Sequence, residues 1–377
     1  MKSKVSLVSC KSYDDVLKKV RQSVDLLGGM ESFVEKGERV LIKPNLLRPA
    51  TPDSAVVTHP SIVKACILLV QDAGGDPVIF DSPGGPLNRR MLNRAYAKAG
   101  LIEVAEDTGA ELLYNTKSSI VPFSSGKLIK AFEVMDEAVR ADAVITLPKL
   151  KTHTLTYLTG ATKILFGIVP GLSKAAYHAK LTDVDNFSTM LLDLLQFVQP
   201  RLSIMDAVVG MDGNGPSGGN PKKIGAIISG EDHIAVDVVA SSLVGFNPLE
   251  VQTIKAAVKM GKTSGKLGDI EIIGDNLNDL SISDFTPPAK AARPWFMPNS
   301  IEKIMKWQLT PYPRSNSDCV ACGVCKTNCP VNAITIKGRA FMNLSKCIRC
   351  YCCHETCPHK AIDIRKPIIL KVIENFR

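Results

Sequence analysis

Long apolar runs are scarce in this chain of 377 residues; the longest of consequence, Ala65 to Val70, is far below the ~18 residues of a spanning helix. No membrane span is expected. The N-terminal stretch Met1 to Lys11 has too short an apolar core for a secretory signal. No Walker-type phosphate loop occurs. Gly213-Asn214-Gly215-Pro216-Ser217-Gly218 carries the letters of the dinucleotide fingerprint, but Gly219-Asn220-Pro221 and a strand at Ile224 follow it. The fingerprint works only where it opens a helix, so a nucleotide site of that kind is excluded. The segment reads as a glycine-rich loop near a ligand cleft. Aromatic residues make up only 6% of the chain, and no aromatic-basic platform or recognition helix accompanies its positive charge, so nucleic acid is not an expected partner.

That charge is unevenly placed. From Thr286 onward there are 15 Lys+Arg against 5 Asp+Glu, which leaves 31 against 32 for the rest of the chain. Thiolate-ligated iron–sulfur centres are anionic, and part of the C-terminal excess would balance them. The remainder would favour docking of an acidic redox carrier, a ferredoxin or flavodoxin.

Cysteine is plentiful. Eleven cysteines without a secretory signal indicate a reducing compartment and metal ligation, and the cytoplasm is the expected location. Eight of them read Cys-x2-Cys-x2-Cys-x3-Cys-Pro twice: Cys319, Cys322, Cys325, Cys329 and then Cys347, Cys350, Cys353, Cys357. Zinc also favours paired Cys-x2-Cys, but it uses neither the third cysteine nor the trailing Cys-Pro. The spacing suits two 4Fe-4S clusters, the fourth thiolate of each run serving the other run's cluster. One cluster then takes Cys319, Cys322, Cys325 and Cys357; the other takes Cys347, Cys350, Cys353 and Cys329. The segment Ser317 to Lys366 resembles bacterial two-cluster ferredoxins. Cys352 interrupts the second run without replacing a ligand, and reads as a spare thiol.

The first 285 residues alternate short apolar runs with amphipathic stretches, the pattern of an α/β domain with a mostly parallel sheet. Strands are expected at Val5–Val8, Val40–Lys43, Val78–Phe80, Ala143–Leu147, Leu202–Met205, Ile224–Ile228 and Ile270–Ile273. The domain plan is 1–285 for the large domain, 286–316 for a proline-rich connector, 317–368 for a small α+β ferredoxin-like domain and 369–377 for a tail. The connector carries both tryptophans, Trp295 and Trp307, and a short amphipathic stretch from Ser300 to Leu309. It is expected to pack against the large domain.

Ligands in open α/β sheets bind beyond the carboxyl ends of the strands. Those ends deliver Asp81, the stretch Lys149-Leu150-Lys151-Thr152-His153, Asp206, and the loop containing Asp212 and Asn214. If extended, Lys149, Lys151 and His153 share one face, because side chains alternate along a strand. Lys163 follows a Thr-Gly-Ala-Thr turn, and His178 follows Pro170-Gly171. Cationic groups beside glycine-freed backbone amides suit a carboxylate or phosphate. Asp237, inside an apolar stretch, is expected to pair with one of these lysines.

Several of these segments resemble a prokaryotic family known as domain of unknown function 362. They are Leu41-Ile42-Lys43-Pro44-Asn45, Thr58-His59-Pro60, Leu147 to His153, Thr159 to Lys163, Asp206 through Pro216, and Ala235-Val236-Asp237. A C-terminal two-cluster ferredoxin is a common companion in that family, whose members are usually described as iron–sulfur proteins or oxidoreductases. The order His153, Lys163, His178 is also similar to the nickel-pincer lactate racemases, which use a His, a Lys holding a pyridinium-derived cofactor, and a His. The resemblance leaves open whether a further organic or nickel cofactor is bound. The expected function is electron transfer through two 4Fe-4S clusters to a small anionic substrate. His153, Lys163 and Lys149 are the catalytic candidates, and Lys151, His178, Asp81, Asp206, Asp212 and Asn214 the ligand-binding ones. The alternative is an electron-transfer or cofactor-maturation accessory protein without its own turnover.

Overall fold

The computed structural model describes residues 2–289 and 310–367. Trp295, Trp307 and the whole stretch Ser300 to Leu309 lie outside the described residues, as does the C-terminal tail.

A ten-stranded sheet forms the large domain. Its parallel half runs Leu202–Asp212, Ala143–Leu147, Arg39–Pro44, Asp76–Ile79 and Glu111–Leu112 in spatial order. The other half turns antiparallel through the long hairpin of Leu202–Asp212 with Asn220–Gly230. Ser3–Ser9 adds antiparallel to that hairpin, and Ile270–Gly274 adds parallel to Ser3–Ser9 at the edge. Lys149–His153 leaves the parallel half to pair with the far end of Leu202–Asp212, and carries Tyr157–Thr159 beside it.

All seven expected strands are present. Their sequences are continuous apolar runs because helices cover both faces of the sheet. Val40, Leu41 and Ile42 are fully buried, on alternate faces, in the core that includes the helix Pro60–Asp72, and Val236, Val239 and Ala240 of the helix His233–Leu243 share a second core with Val5, Leu7 and Ile228. Deleting one such side chain, as in Ile42→Ala, costs about 2–5 kcal/mol because packing closes the void only in part. The helices start where their caps require. His59 Nδ1 accepts from Ser61 N with Pro60 at the first position, and Asp232 accepts from Ile234 N and Ala235 N.

One strand runs further than expected. Leu202–Met205 continues to Asp212, interrupted only by a register shift between Ala207 and Val209. Asp206 therefore sits inside the sheet and not at its carboxyl edge.

The small C-terminal domain has its own core of Cys325, Ile334, Ala340, Cys353, Cys357, Ala361 and Ile362. Two antiparallel pairs frame it, Tyr312–Ser315 with Ile362–Arg365 and Ile334–Lys337 with Arg339–Met342. It sits on the glycine-rich loop of the long hairpin. His354 Nε2 faces Asn214 O at 2.8 Å, and Ser217 Oγ donates to His354 O at 3.0 Å. A Cβ on Gly218 would lie 2.2 Å from His354 Cε1, so only glycine permits this approach. The loop that mimics a nucleotide fingerprint is thus a seat for the cysteine-rich domain.

Candidate active site

An inner pocket of about 770 Å³ lies between the carboxyl ends of the parallel strands and the cysteine-rich domain. Asp81 reaches it from the end of Asp76–Ile79. Lys43 Nζ donates to Asp81 Oδ1 at 2.7 Å and Leu46 N donates to Oδ2 at 2.7 Å, so the carboxylate is fixed. Gly167 closes over this pair; a Cβ there would lie 2.0 Å from Asp81 Oδ1 and 2.3 Å from Lys43 Nζ.

Lys149–His153 is a strand, as the alternation implied, and all five residues are buried. Its lysines part company. Lys149 donates to Asp206 Oδ2 at 2.7 Å and to Tyr13 Oη at 2.8 Å, away from the pocket lining. Asp206 in turn accepts from His59 N, so this group is a structural pair. Lys151 does line the pocket, with Nζ held by Asn45 Oδ1 at 2.9 Å and Val56 O at 2.8 Å. Burial, followed by neighbouring Lys163 and Lys149, pushes its pKa well down.

Lys163 opens the 3-10 turn Lys163–Ile168 and faces the pocket. Asp237 positions that turn: its carboxylate accepts from Ala161 N at 2.6 Å and Thr162 N at 3.0 Å. This corrects the expectation of an Asp237–lysine pair. Burial raises the Asp237 pKa to about 6, against the lowering effect of Thr162 and Ala161. The Lys163 ammonium has no hydrogen bond or ion pair among the described residues; its nearest organised contact is the Phe166 ring at 5.8 Å. Burial lowers its pKa, while Glu355 and Cys352 act the other way.

His178 stacks on Phe187 at 4.5 Å and meets the edge of Phe166 at 5.8 Å. Burial, against Glu355 and reinforced by Lys163, brings its pKa to about 4, so the imidazole is neutral at pH 7. His153 is fully buried behind the pocket wall. Its Nδ1 accepts from Leu155 N at 3.0 Å and Thr156 N at 3.2 Å, which places the proton on Nε2. Nε2 lies 3.1 Å from Glu355 Oε1, but the approach is too oblique for a hydrogen bond. Burial and Lys163 bring the His153 pKa to about 4. Burial pushes the Glu355 carboxyl up, but His153, Lys163 and His178 outweigh it and hold the pKa well below the usual range. With both imidazoles neutral at pH 7, Lys163 is the cationic group that bears on Glu355, although burial lowers its pKa.

The cysteines surround two small cavities. One, of about 300 Å³, is lined by Cys319, Cys322, Cys325 and Cys357. The other, of about 340 Å³, is lined by Cys329, Cys347, Cys350 and Cys353, with Cys352 beside them. Backbone amides are aimed at sulfur: Ala340 N at Cys319, Ala333 N at Cys329 and Ala361 N at Cys357, at 3.2–3.4 Å. A single zinc ion needs its donors drawn to one point; among the described residues no three His, Cys, Asp or Glu side chains converge in that way. Four thiols spread around a void, with amides directed at their sulfurs, fit a cluster.

The family model described as domain of unknown function (DUF362) matches residues 40–242, more than half of the chain. The chain belongs to the DUF362 family. A 4Fe-4S binding domain matches residues 312–335, so this DUF362 protein is an iron–sulfur protein with a C-terminal ferredoxin-like domain. It is 36% identical over 271 residues to the thylakoid-associated protein sll1697 of Synechocystis sp. (strain ATCC 27184 / PCC 6803 / Kazusa), covering 69% of this chain and 80% of that protein. Among solved structures, the lactate racemase apoprotein from Thermoanaerobacterium thermosaccharolyticum aligns with a TM-score of 0.40 and 13% identity over 62% of this chain. The chain spans 55% of the length of that structure. No helix among the described residues is long and apolar enough to cross a membrane.

Within the DUF362 protein, the pocket gathers Lys151, Lys163, His178 and Asp81 from the expected set, with His153 one contact behind. Lys149, Asp206, Asp212 and Asn214 are outside its lining. Asp212 Oδ2 accepts from Thr286 N and Asn214 Oδ1 from Ala289 N, so both secure the start of the connector. Three residues were missed. Lys43 stood in a quoted motif without a role. Lys174 sits on the helix Gly171–Lys180, which had not been expected; its Nζ donates to Ser82 O at 2.6 Å and Val169 O at 2.8 Å. Burial brings the Lys174 pKa to about 7. Glu355 carried no signal in the large domain, because it enters from the helix Cys352–Thr356 of the small one. Cys352, Glu355 and Thr356 stand on one face of that helix and all reach the pocket wall. Cys352 is therefore more than a spare thiol: it belongs both to the pocket wall and to the second cysteine cavity.

Proposed function

We propose that this DUF362 protein is an oxidoreductase that passes electrons through two crosswise-ligated 4Fe-4S clusters to a small anionic substrate in the inner pocket. The observation that carries this reading is Cys352, one residue in the walls of both the pocket and the second cysteine cavity. A group bound there is separated from the cluster site by a single side chain. The crossed ligation is supported by the make-up of the cavities, each lined by three cysteines of one run and the fourth of the other.

The chain's own residues supply binding and protons. Lys151, Lys163 and Lys174 outnumber the pocket's carboxylates, and Asp81 is already neutralised by Lys43. The excess cation favours a carboxylate-bearing substrate. Lys163 is the ammonium free to meet it. The neutral His178 can accept or relay a proton at the pocket, and the Glu355 carboxylate can accept one, with His153 Nε2 close behind it at 3.1 Å. The clusters, when bound, supply single electrons. The eleven cysteines, eight of them in ligand-type runs, support a reducing, cytoplasmic setting.

The test uses anaerobically reconstituted protein, with oxalate as a probe of the pocket and a panel of small oxo-acids and unsaturated acids as electron acceptors. Oxalate affinity should fall about tenfold or more in Lys163→Ala while the cluster absorbance is retained. Cluster oxidation by a panel member, abolished in the same variant, is the expected activity. If no acid binds and wild-type clusters are oxidised by none, the substrate reading fails. An accessory electron carrier is the alternative, favoured by the exposed Cys322 at the rim of the first cavity. It predicts rapid exchange with a carrier protein that is indifferent to Lys163→Ala.

A further inference from the structure

A second, larger basin of about 1340 Å³ opens beside the inner pocket. The two share Gly84, Asn328 and Thr356, so a single wall stands between them. Gly85, with φ +97°, packs on that wall, and a Cβ there would lie 2.8 Å from Asn328 Oδ1. The consecutive glycines let Asn328 and Thr356 approach this closely, so the wall is one side chain thick. A molecule that occupies both spaces has two distinct ends, one on each side of it.

Apart from Cys322, a ligand of the first cluster in the reading above, the ionisable side chains of the outer basin are all cationic. Arg48, Arg94, Lys98 and Lys360 are in its wall, and no Asp or Glu is. None of the four has a carboxylate partner within ion-pair distance among the described residues. Arg94 and Lys98 are four apart on the helix Arg89–Ala99 and share a face. Arg48 is 8% exposed, yet its guanidinium makes one long hydrogen bond, from Nη1 to Pro49 O at 3.3 Å, and its Nε has no partner. The anionic side chain bearing on Arg48 is Cys357, whose thiolate is committed to the cluster in the reading above. A nearly buried guanidinium left with so little is costly unless an anion completes it. Planar, many-donor recognition of this kind matches phosphate oxygens.

We propose that the outer basin is a subsite for a phosphorylated tail, and that the substrate is a two-part molecule whose carboxylate-like head enters the inner pocket. This rests on the pocket reading above for the head, but the tail site stands on its own residues. Arg48 anchors the phosphate at depth, Arg94 and Lys98 meet it at the mouth, and the linker crosses the thin wall at Asn328.

The experiment is calorimetric titration of anaerobic, cluster-loaded protein with inorganic pyrophosphate as the tail probe and oxalate as the head probe. Pyrophosphate affinity should fall about tenfold or more in the Arg94→Gln/Lys98→Gln double variant and in Arg48→Gln. It should stay within about twofold in Lys163→Ala, and oxalate should show the reverse pattern. The double variant is decisive, because both side chains are exposed on a helix of the large domain; since Cys322 lines the same basin, iron content is measured beside the titration and must match the wild type. Undetectable pyrophosphate binding, or binding insensitive to the double variant, overturns the subsite. Pyrophosphate binding lost only in Lys163→Ala overturns it too, since the probe then occupies the inner pocket. Slower reduction by an acidic carrier protein in the double variant, with no pyrophosphate bound by the wild type, makes the basin a carrier dock and ends the proposal. Failure of oxalate alone counts against the substrate reading and leaves the tail site standing.

Discussion

Lys174 shows how far one side chain can couple the pocket to pH. Its ammonium titrates at about 7 in the folded chain against 10.5 for the unfolded one. Between those values the unfolded chain binds more protons, so stability rises with pH across that window. Denaturant unfolding of Lys174→Met should show a flatter rise between pH 7 and 10 than the wild type. The same amine predicts that affinity for oxalate weakens as pH passes upward through 7, and that Lys174→Gln removes this step from the binding profile. Lys149 teaches the opposite lesson. Alternation put it on the face of Lys151, yet its ammonium is fully used by Asp206 and Tyr13. Sequence pattern gives the face of a strand but not which charge on it is already satisfied. A partner such as Asp206, 57 residues away, is invisible until the sheet is assembled.

At the scale of elements, the apolar runs were readable because a buried parallel strand has to be apolar on both faces. The error at Asp206 arose because Leu202–Asp212 is half of a long hairpin, and its apolar run is broken by Asp206 and Gly210, which read as the end of a strand. The helix Cys352–Thr356 was legible only for its ligand cysteines. Its pocket face, Glu355 and Cys352, depends on how two domains meet. Glu355→Gln keeps the shape and removes the negative charge beside Lys163. The expected result is tighter binding of oxalate together with turnover lower by roughly 10²-fold or more, as loss of a positioned proton donor or acceptor entails. Equal losses in binding and turnover would instead mark Glu355 as a packing residue. The turn at Lys163 depends on Asp237, whose Oδ1 would lie 1.9 Å from a Cβ on Gly160. Gly160→Ala should therefore displace the turn, and crystallography or loss of oxalate binding with an intact fold would register it.

For the whole molecule, three buried histidines set the acid limit. His153, His178 and His233 each titrate at about 4 against 6.5 unfolded. Between those values the unfolded chain holds the extra protons, so stability falls as pH drops through this range. Asp237, at about 6 against 3.8, contributes the opposite slope and offsets part of the loss. His233 is the cleanest test, since it lies between Thr146 Oγ1 and Glu231 O away from the pocket. His233→Gln should lessen the decline in unfolding free energy from pH 6.5 to 4. The cysteine runs were the most legible feature of the chain because their ligand spacing is local, whereas the cavities pair cysteines across the two runs. Cys357→Ala should disturb the cluster of Cys319, Cys322 and Cys325, visible by electron paramagnetic resonance; loss confined to the cluster of its own run would contradict the crossed scheme.

The shared wall also decides how the protein fails. Cys352, Glu355 and Thr356 reach the pocket from a helix that lies between the cysteines of the second run. On the proposed reading, loss of a cluster to oxygen would cost more than the current: the binding chamber would lose one side, and the lysines behind it would open to water. Such a molecule would not idle with its substrate held and no electrons to give. It would let go.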